Sequence, residues 1–123
     1  CTPILAAAFA VLPAVASAVE QRTFVIDTAA DLARLCAPPA DNPMAAEALQ
    51  MCHGYIVGVH HFHSAYAAAT GSGLYCAEAV DPPPTRDSVA ADFADWVAAN
   101  PQVGPREAVD ALLDWAALRF PCE

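Results

Sequence analysis

The apolar positions of the chain recur every three to four residues in four separate stretches, which is the pattern of amphipathic helices. The longest stretch runs from about Pro43 to Thr70, and shorter ones cover residues 28–38, 85–100 and 105–121. Prolines or glycines bound these stretches, and such residues commonly begin or end helices. The pattern predicts an all-α domain of four helices in which the second helix is longest and central.

Residues at the expected helix ends support these bounds. Thr28 and Asp31 fit a capping box, with Asp31 in place of the usual glutamate. Thr85 is a good N-cap for the third helix, and Asp87 is well placed for the helix dipole. Gly71-Ser72-Gly73 is expected to end the second helix, since glycine readily adopts the left-handed conformation of a helix C-terminus.

Each predicted helix has one apolar face that we expect to form the core. On the first helix this face contains Leu32, Leu35 and Cys36. The faces of the other three are Leu49, Cys52, Ile56, Val59, His63 and Tyr66; Val89, Phe93, Trp96 and Val97; and Val109, Leu112, Leu113, Trp115, Ala116 and Phe120.

Two glycines, Gly54 and Gly58, lie inside the second helix, where each costs about 1 kcal/mol relative to alanine. We expect close approach of another helix backbone at these positions to offset that cost. We favour a helix of the same domain, and the alternative is a helix of a second copy of the chain.

The beginning of the chain has the composition of an export signal. Residues 4–15 are almost entirely apolar and lead into Ala16-Ser17-Ala18, the small residues of a signal-peptidase site. A membrane span needs about 20 apolar residues, so we expect residues 1–18 to be removed and residues 19–123 to form one mature domain. The chain opens on Cys1 without a basic start, and we expect the front of the signal to be missing from this sequence. The alternative is that Cys1 is a lipidated first residue.

Four cysteines lie in the predicted mature domain. An even number of cysteines behind an export signal predicts disulfides, because exported thiols meet an oxidising compartment. The fourth helix should bring Cys122 to the end of the second helix, where Cys76 lies. We therefore favour Cys76–Cys122, with Cys36–Cys52 joining the first two helices. Four cysteines allow three pairings, and the sequence leaves the other two open.

The charge is strongly acidic. The chain has fourteen acidic residues and five basic ones, which gives a formal net charge of -9. Such a charge disfavours binding to nucleic acid and to anionic membrane surfaces. It suits a soluble domain or one with a basic partner, and we expect no membrane attachment after signal cleavage.

Candidate catalytic and metal-binding chemistry is sparse. All four histidines lie on the second helix, and His60 and His63 have the spacing of a shared metal site, but such a site needs three or four ligands. Ser72 has no nucleophile motif around it, and disulfide-bonded cysteines are not nucleophiles. We expect a protein that is not an enzyme and that holds neither a metal nor a cofactor.

The segment Cys52-His53-Gly54-Tyr55-Ile56-Val57-Gly58-Val59 resembles the Cys-x-Gly-Tyr-Ile-x-Gly-Val signature of the Rap/Tai-type immunity proteins of type VI secretion systems. The upstream Leu32-x-x-Leu35-Cys36 and the closing Phe120-Pro121-Cys122 are similar in order and spacing. The resemblance covers about Thr28 to Cys122. It implies a small all-helical periplasmic protein, often a homodimer, that binds and blocks a peptidoglycan-cleaving amidase. Gly54, Tyr55 and Gly58 belong to this motif.

The partner-binding surface is expected to be an acidic helical surface or one of two loops at the ends of the bundle, Leu74–Pro84 and Asn100–Pro105, and our candidate residues belong to the first loop. Glu78, Asp81 and Arg86 lie in or beside it and are our candidates for contact with the amidase. Two other functions remain as alternatives: a periplasmic acid or stress chaperone, suggested by the clustered histidines and acidic surface, and a histidine-dependent binder of a metal or cofactor.

Overall fold

The computed structural model describes residues 7–8 and 18–123 of the chain. The α-helices of these residues are α1 (Ala29–Cys36), α2 (Ala45–Thr70), α3 (Arg86–Ala99) and α4 (Ala108–Arg119). Short 3-10 helices lie at Gln21–Val25, Ala77–Ala79 and Pro101–Val103. Strand-like pairing in the described part is limited to an isolated bridge between Thr28 and Glu107. The predicted all-α fold with four helices is confirmed.

Helix α1 begins with the capping box that the sequence predicted. The Thr28 hydroxyl accepts a hydrogen bond from the backbone N–H of Asp31 (3.2 Å), and the Asp31 carboxylate accepts one from the N–H of Thr28 (3.1 Å). The helix ends at Cys36, just before the Pro38-Pro39 pair. Because the first N–H groups of a helix lack partners within it, this box satisfies donors that would otherwise be buried and unpaired.

The longest helix is α2, as predicted, but the central helix is α1, which packs against all three other α-helices, as α3 also does. Leu32 and Leu35 of α1 are fully buried. In contrast, α2 packs chiefly against α1 and α3, and its buried residues are Ala48, Cys52 and His63. The shortest α-helix therefore occupies the centre of the domain, and α2 has a long exposed face.

Aromatic rings of α3, α4 and the residue after α4 fill the core beside α1. Phe93 packs edge-on against Trp115 with ring centroids 5.6 Å apart, and Trp115 packs edge-on against Phe120 at 5.8 Å. Edge-to-face pairs contribute about 0.5–1.5 kcal/mol each beyond the burial of their area. This row of rings fixes the position of α3 relative to α4.

Most of the predicted apolar faces are buried or half-buried, but the predictions for Tyr66 and Val109 were wrong. Both side chains are exposed. On α3 and α4, alanines contribute much of the buried surface. The buried alanines of these two helices are Ala90, Ala94, Ala108, Ala111 and Ala116. Small side chains let neighbouring helices approach closely, so the buried face of α4 includes alanines and excludes Val109.

The favoured disulfide pairing is confirmed. Cys36 bonds to Cys52 across 16 residues, and Cys76 bonds to Cys122 across 46 residues. The first bond is buried and joins α1 to α2. Loop-closure entropy in the unfolded chain gives contributions of about 3 and 4 kcal/mol for loops of these lengths. Two such bonds are a large part of the stability of a small domain.

Helix α4 begins at Ala108 rather than at Pro105, where the sequence placed it. The backbone before α4 is held by the segment before α1. The N–H of Ala29 donates to the Arg106 carbonyl (2.8 Å), and the N–H of Ala108 donates to the Asp27 carbonyl (3.2 Å). This pairing between distant segments keeps residues 105–107 out of the helix, and no local pattern reveals it.

Helix α2 likewise begins two residues after the predicted start, at Ala45 rather than Pro43. The side-chain oxygen of Asn42 accepts a hydrogen bond from the backbone N–H of Met44 (2.9 Å), and its amide group donates to the Val19 carbonyl (3.2 Å). Asn42 therefore forms a turn that delays the helix and ties residue 19 to it.

The expectation that Gly54 and Gly58 admit another helix of the same domain was wrong. Both glycines are exposed, and a Cβ built at either would meet no other atom within 4 Å. Tyr55, between them in the motif, is half-buried against the core. The two glycines therefore lie on the exposed face of α2, where only the alternative of a second copy remains.

The predicted export signal, including Cys1, lies outside the described residues except for Ala7, Ala8 and Ala18. The division of the chain after residue 18 therefore stays a prediction. Among the described residues, no helix combines the length and the apolar character that crossing a membrane requires.

Candidate functional site

The loop that follows α2, here called the site loop (residues 74–84), is fixed to α2 by His63. Nε2 of His63 accepts a hydrogen bond from the backbone N–H of Leu74 (2.8 Å). The imidazole also stacks on the Tyr75 ring, with centroids 3.9 Å apart and the planes 13° from parallel. His63 is only 7% exposed. Because Nε2 acts as an acceptor, this arrangement requires it to carry no proton.

Two glycines allow the chain to turn back onto His63. Gly71 ends α2 with φ of 77°, the left-handed conformation expected there. A Cβ at Gly73 would lie 3.0 Å from both Cε1 and Nε2 of His63. Glycine at position 73 therefore permits the close approach that places Leu74 within hydrogen-bonding distance of the imidazole.

A second histidine extends the contact along the loop. Nδ1 of His60 lies 3.0 Å from the Tyr75 hydroxyl oxygen, and Nε2 lies 3.2 Å from a carboxylate oxygen of Glu78. Burial, and secondarily the negative charge of Glu78, raise the pKa of Tyr75 to about 12. The Tyr75 phenol is therefore neutral at physiological pH and serves as a hydrogen-bonding group.

The other two histidines have different surroundings. Nε2 of His53 lies 3.2 Å from a carboxylate oxygen of Asp87, but it makes no hydrogen bond with any of the described residues. His61 is exposed. Within residues 18–123, no three His, Cys, Asp or Glu side chains are grouped as metal ligands.

The far side of the site loop is fixed to the end of the chain. Besides the Cys76–Cys122 disulfide, the backbone N–H of Cys76 donates to the Phe120 carbonyl (2.8 Å). The loop is thus held at both edges, by α2 on one side and by the residues after α4 on the other. A loop restrained in this way presents its exposed side chains in one arrangement.

Between α2, the site loop, the start of α3 and α4 lies a cavity of about 250 Å³, here called the apolar pocket. Its apolar lining includes Ile56, Val59, Val89, Leu113, Trp115 and Phe120. The rings of Trp115 and Phe120 are almost completely buried, so they belong to the core and to the pocket wall at once. The wall on the α4 side is therefore as rigid as the core itself.

The structure brings two of the three predicted partner-binding residues to the edge of this pocket. Glu78 and Arg86 line it, and Asp81 is exposed elsewhere in the site loop. Asp87 is also exposed, and Arg86 is the one base among residues 74–89. Residues 74–89 therefore combine a wall of the apolar pocket with an exposed surface of negative net charge.

Sequence reasoning found the loop but missed how it is held. It did not indicate that Tyr75 is the ring that contacts His60 and His63. The spacing of the two histidines marked one face of α2. Nothing local indicated that Tyr75, which is 12 residues beyond His63, would fold back onto that face.

The chain matches the family model described as Rap1a immunity proteins over residues 28–122. That range contains α1 to α4, the site loop and the four bonded cysteines. No match was found among the curated proteins, and none among the solved structures.

Proposed function

The chain belongs to the Rap1a immunity protein family, and from this premise we propose that it binds and blocks a peptidoglycan-cleaving amidase effector of type VI secretion. The match over residues 28–122 is the observation that carries this proposal. Family membership indicates an immunity protein with an effector protein as its partner. The amidase as target rests on the resemblance of Cys52–Val59 to the Rap/Tai-type signature.

The proposed site of action is the site loop with the residues beside it. Glu78, Asp81 and Arg86 are exposed on a segment that the disulfide and His63 already hold in place. A loop that is ordered before binding loses little conformational entropy when the complex forms. Negative side chains there favour an effector surface with positive charge.

The protein is proposed to act by occlusion and without catalysis. Proteins of an immunity family generally act by binding rather than by catalysis. The raised pKa of Tyr75, about 12 because of burial and then Glu78, makes this residue a poor nucleophile or base near neutral pH.

The proposed location is the periplasm, reached through the N-terminal signal. Immunity proteins of this family are typically exported, and the two disulfides of the described residues are consistent with an oxidising compartment. Residues 1–18 are proposed to be removed on export, leaving residues 19–123 as the domain that meets the effector.

The test uses peptidoglycan amidases, beginning with any that are encoded next to this gene. Purified, oxidised protein is titrated into each amidase by calorimetry, and release of peptidoglycan fragments is measured in parallel. We expect binding and loss of amidase activity, and protection of cells that produce the amidase in their periplasm. Absence of both binding and protection with every amidase tested would reject the proposal.

A pair of charge reversals locates the contact. Asp81→Arg and Asp41→Arg alter exposed acids and change the net charge equally, but Asp81 lies in the site loop and Asp41 lies between α1 and α2. We expect Asp81→Arg to weaken binding at least tenfold and Asp41→Arg to leave it within about twofold. Equal effects would show that only overall charge matters.

We also propose that the protein forms a homodimer through the exposed face of α2. Gly54 and Gly58 leave open space there, and Phe62 next to them is 74% exposed. Phe62→Glu should convert a dimer into a monomer in light scattering after gel filtration. Leu118→Glu on α4, where the side chain is 71% exposed, is the matched control. A monomeric wild-type protein would remove this proposal.

A further inference from the structure

The apolar pocket has polar groups at its edge that already have partners. His60 is paired with the Tyr75 hydroxyl on one side and with Glu78 on the other. The phenol and imidazole are therefore not free to draw in a polar ligand, and most of the wall consists of aliphatic and aromatic side chains. Burial of apolar surface is the interaction that this pocket can offer.

The size of the pocket indicates what can fill it. Its volume of about 250 Å³ lies below the roughly 300–1,000 Å³ that is typical of pockets for drug-sized ligands. One bulky apolar side chain fits such a space. In protein interfaces, single side chains that enter preformed pockets carry a large share of the binding energy.

The charge around the pocket indicates what should flank that side chain. Glu78 lines the pocket, and Asp81 and Asp87 are exposed on the segment that borders it, against the single base Arg86. The whole chain carries a formal charge of -9. An incoming segment with lysine or arginine beside its apolar residue is therefore attracted, and an acidic segment is repelled.

We infer that the apolar pocket is a recognition site for one large apolar side chain of the effector, flanked on the effector by basic residues. This inference rests on the proposed function and adds to it the chemistry of the partner. It makes the pocket, in addition to the exposed loop, the centre of the interface.

A pair of substitutions on α4 tests the pocket directly. Leu113 is half-buried and lines the pocket, and Leu118 is on the same helix but exposed and outside the lining. Leu113→Trp partly fills the pocket, whereas Leu118→Trp places the same ring in solvent. We expect Leu113→Trp to weaken binding to the amidase by about 30-fold or more, as for an interface hot spot, and Leu118→Trp to change it less than threefold. Circular dichroism and thermal unfolding establish that both variants are folded.

A second measurement needs no effector. The wild-type protein, labelled with ¹⁵N, is titrated with N-acetyl-Lys-Phe-Lys-amide and with N-acetyl-Glu-Phe-Glu-amide. We expect the basic peptide to shift the amide signals of residues that line the pocket, such as Val89 and Leu113, at millimolar concentration. The acidic peptide should shift them at least fivefold less at the same concentration. Glu78→Gln should reduce the difference between the two peptides.

The outcomes separate this inference from the proposed function. If the amidase binds Leu113→Trp and wild type equally, the inference is overturned and the immunity function stands. If no amidase binds but the basic peptide occupies the pocket, the amidase target is wrong while the pocket keeps its chemical preference. Indifference of the pocket to both peptides overturns the inference. A dimer that is lost only in Leu113→Trp would assign the pocket to a second copy of the chain and overturn it as well.

Discussion

The two disulfides belong to regions that are held together in different ways. Around Cys36–Cys52, the central helix α1 is enclosed by apolar side chains, and both cysteines are buried. Around Cys76–Cys122, the site loop is held by a few polar contacts to α2, and Cys122 is exposed. Burial of apolar area is distributed over many residues, whereas a polar attachment depends on a few. We therefore expect single changes in the loop region to affect the site well before they affect the fold.

The largest loss of stability is expected in the region around the Cys36–Cys52 disulfide. Phe93 is 0% exposed, and its ring packs against Trp115, so Phe93→Ala leaves a cavity and should lower the free energy of unfolding by about 3–5 kcal/mol. Chemical denaturation followed by circular dichroism measures this loss. A loss below about 1 kcal/mol would show that this region is less tightly packed than the structure indicates.

Removal of the Cys76–Cys122 disulfide tests whether the site loop opens independently of α1. Cys76→Ala with Cys122→Ala should reduce stability by about 2–4 kcal/mol through the unfolded chain. In the folded state, hydrogen exchange of the Leu74 and Cys76 amides should accelerate while the amides of α1 stay protected. If α1 and the site loop open together, the two regions are one cooperative unit and the comparison fails.

A smaller effect is expected from His63→Leu, which removes the acceptor of the Leu74 N–H and the stack on Tyr75. A donor left without a partner at a part-buried site costs about 1–3 kcal/mol. We expect a loss of stability of this size together with faster amide hydrogen exchange in the site loop. His61→Leu changes an exposed neighbour on the same helix and should alter stability by less than about 0.5 kcal/mol.

The smallest effect at neutral pH is expected from Tyr75→Phe, which removes the hydroxyl group near His60 and should cost about 0.5–1.5 kcal/mol. Its signature is the response to alkali. Burial, and then Glu78, raise the pKa of Tyr75 from 10.0 to about 12, so folding favours the neutral phenol. That contribution is complete below pH 10 and is lost as pH rises towards 12.

Denaturation curves between pH 9 and pH 12 check this prediction. Wild type should lose stability over the upper part of that range, and Tyr75→Phe should show a smaller decline. Tyr66→Phe, at an exposed tyrosine of α2, should behave like wild type. A decline that is identical in all three proteins would show that Tyr75 does not stabilise the fold through its neutral form.

Features that depend on neighbouring residues could be predicted from the sequence, whereas features that depend on contacts between distant segments could not. The capping box at Thr28, the N-cap at Thr85 and the end of α2 at Gly71 depend on adjacent residues, so periodicity and capping chemistry were sufficient to predict them. The order of the helices favoured the disulfide pairing that the structure has, without excluding the other two. The backbone just before α4, by contrast, depends on hydrogen bonds to the Asp27 carbonyl and from the Ala29 N–H, and both residues are far away in the sequence.

The site was predicted less completely than the fold for the same reason. Its candidate contact residues, Glu78, Asp81 and Arg86, could be proposed from the sequence because they lie in or beside one loop. The apolar pocket arises where α2, the site loop, α3 and α4 meet, and Tyr75 joins two histidines that precede it by 12 and 15 residues. Contacts of this kind depend on how the helices pack rather than on spacing along the chain, so no sequence motif predicts them.

The most direct test is a hydrogen-exchange footprint of the complex with an amidase that the protein binds. The exchange of each amide is compared in the free protein and in the complex at saturating amidase. Slower exchange is predicted for residues 74–89 and for the part of α4 that contains Leu113, with the Gln21–Val25 segment unchanged. Protection confined to Gln21–Val25 and the start of α1, with none in residues 74–89, would contradict the account.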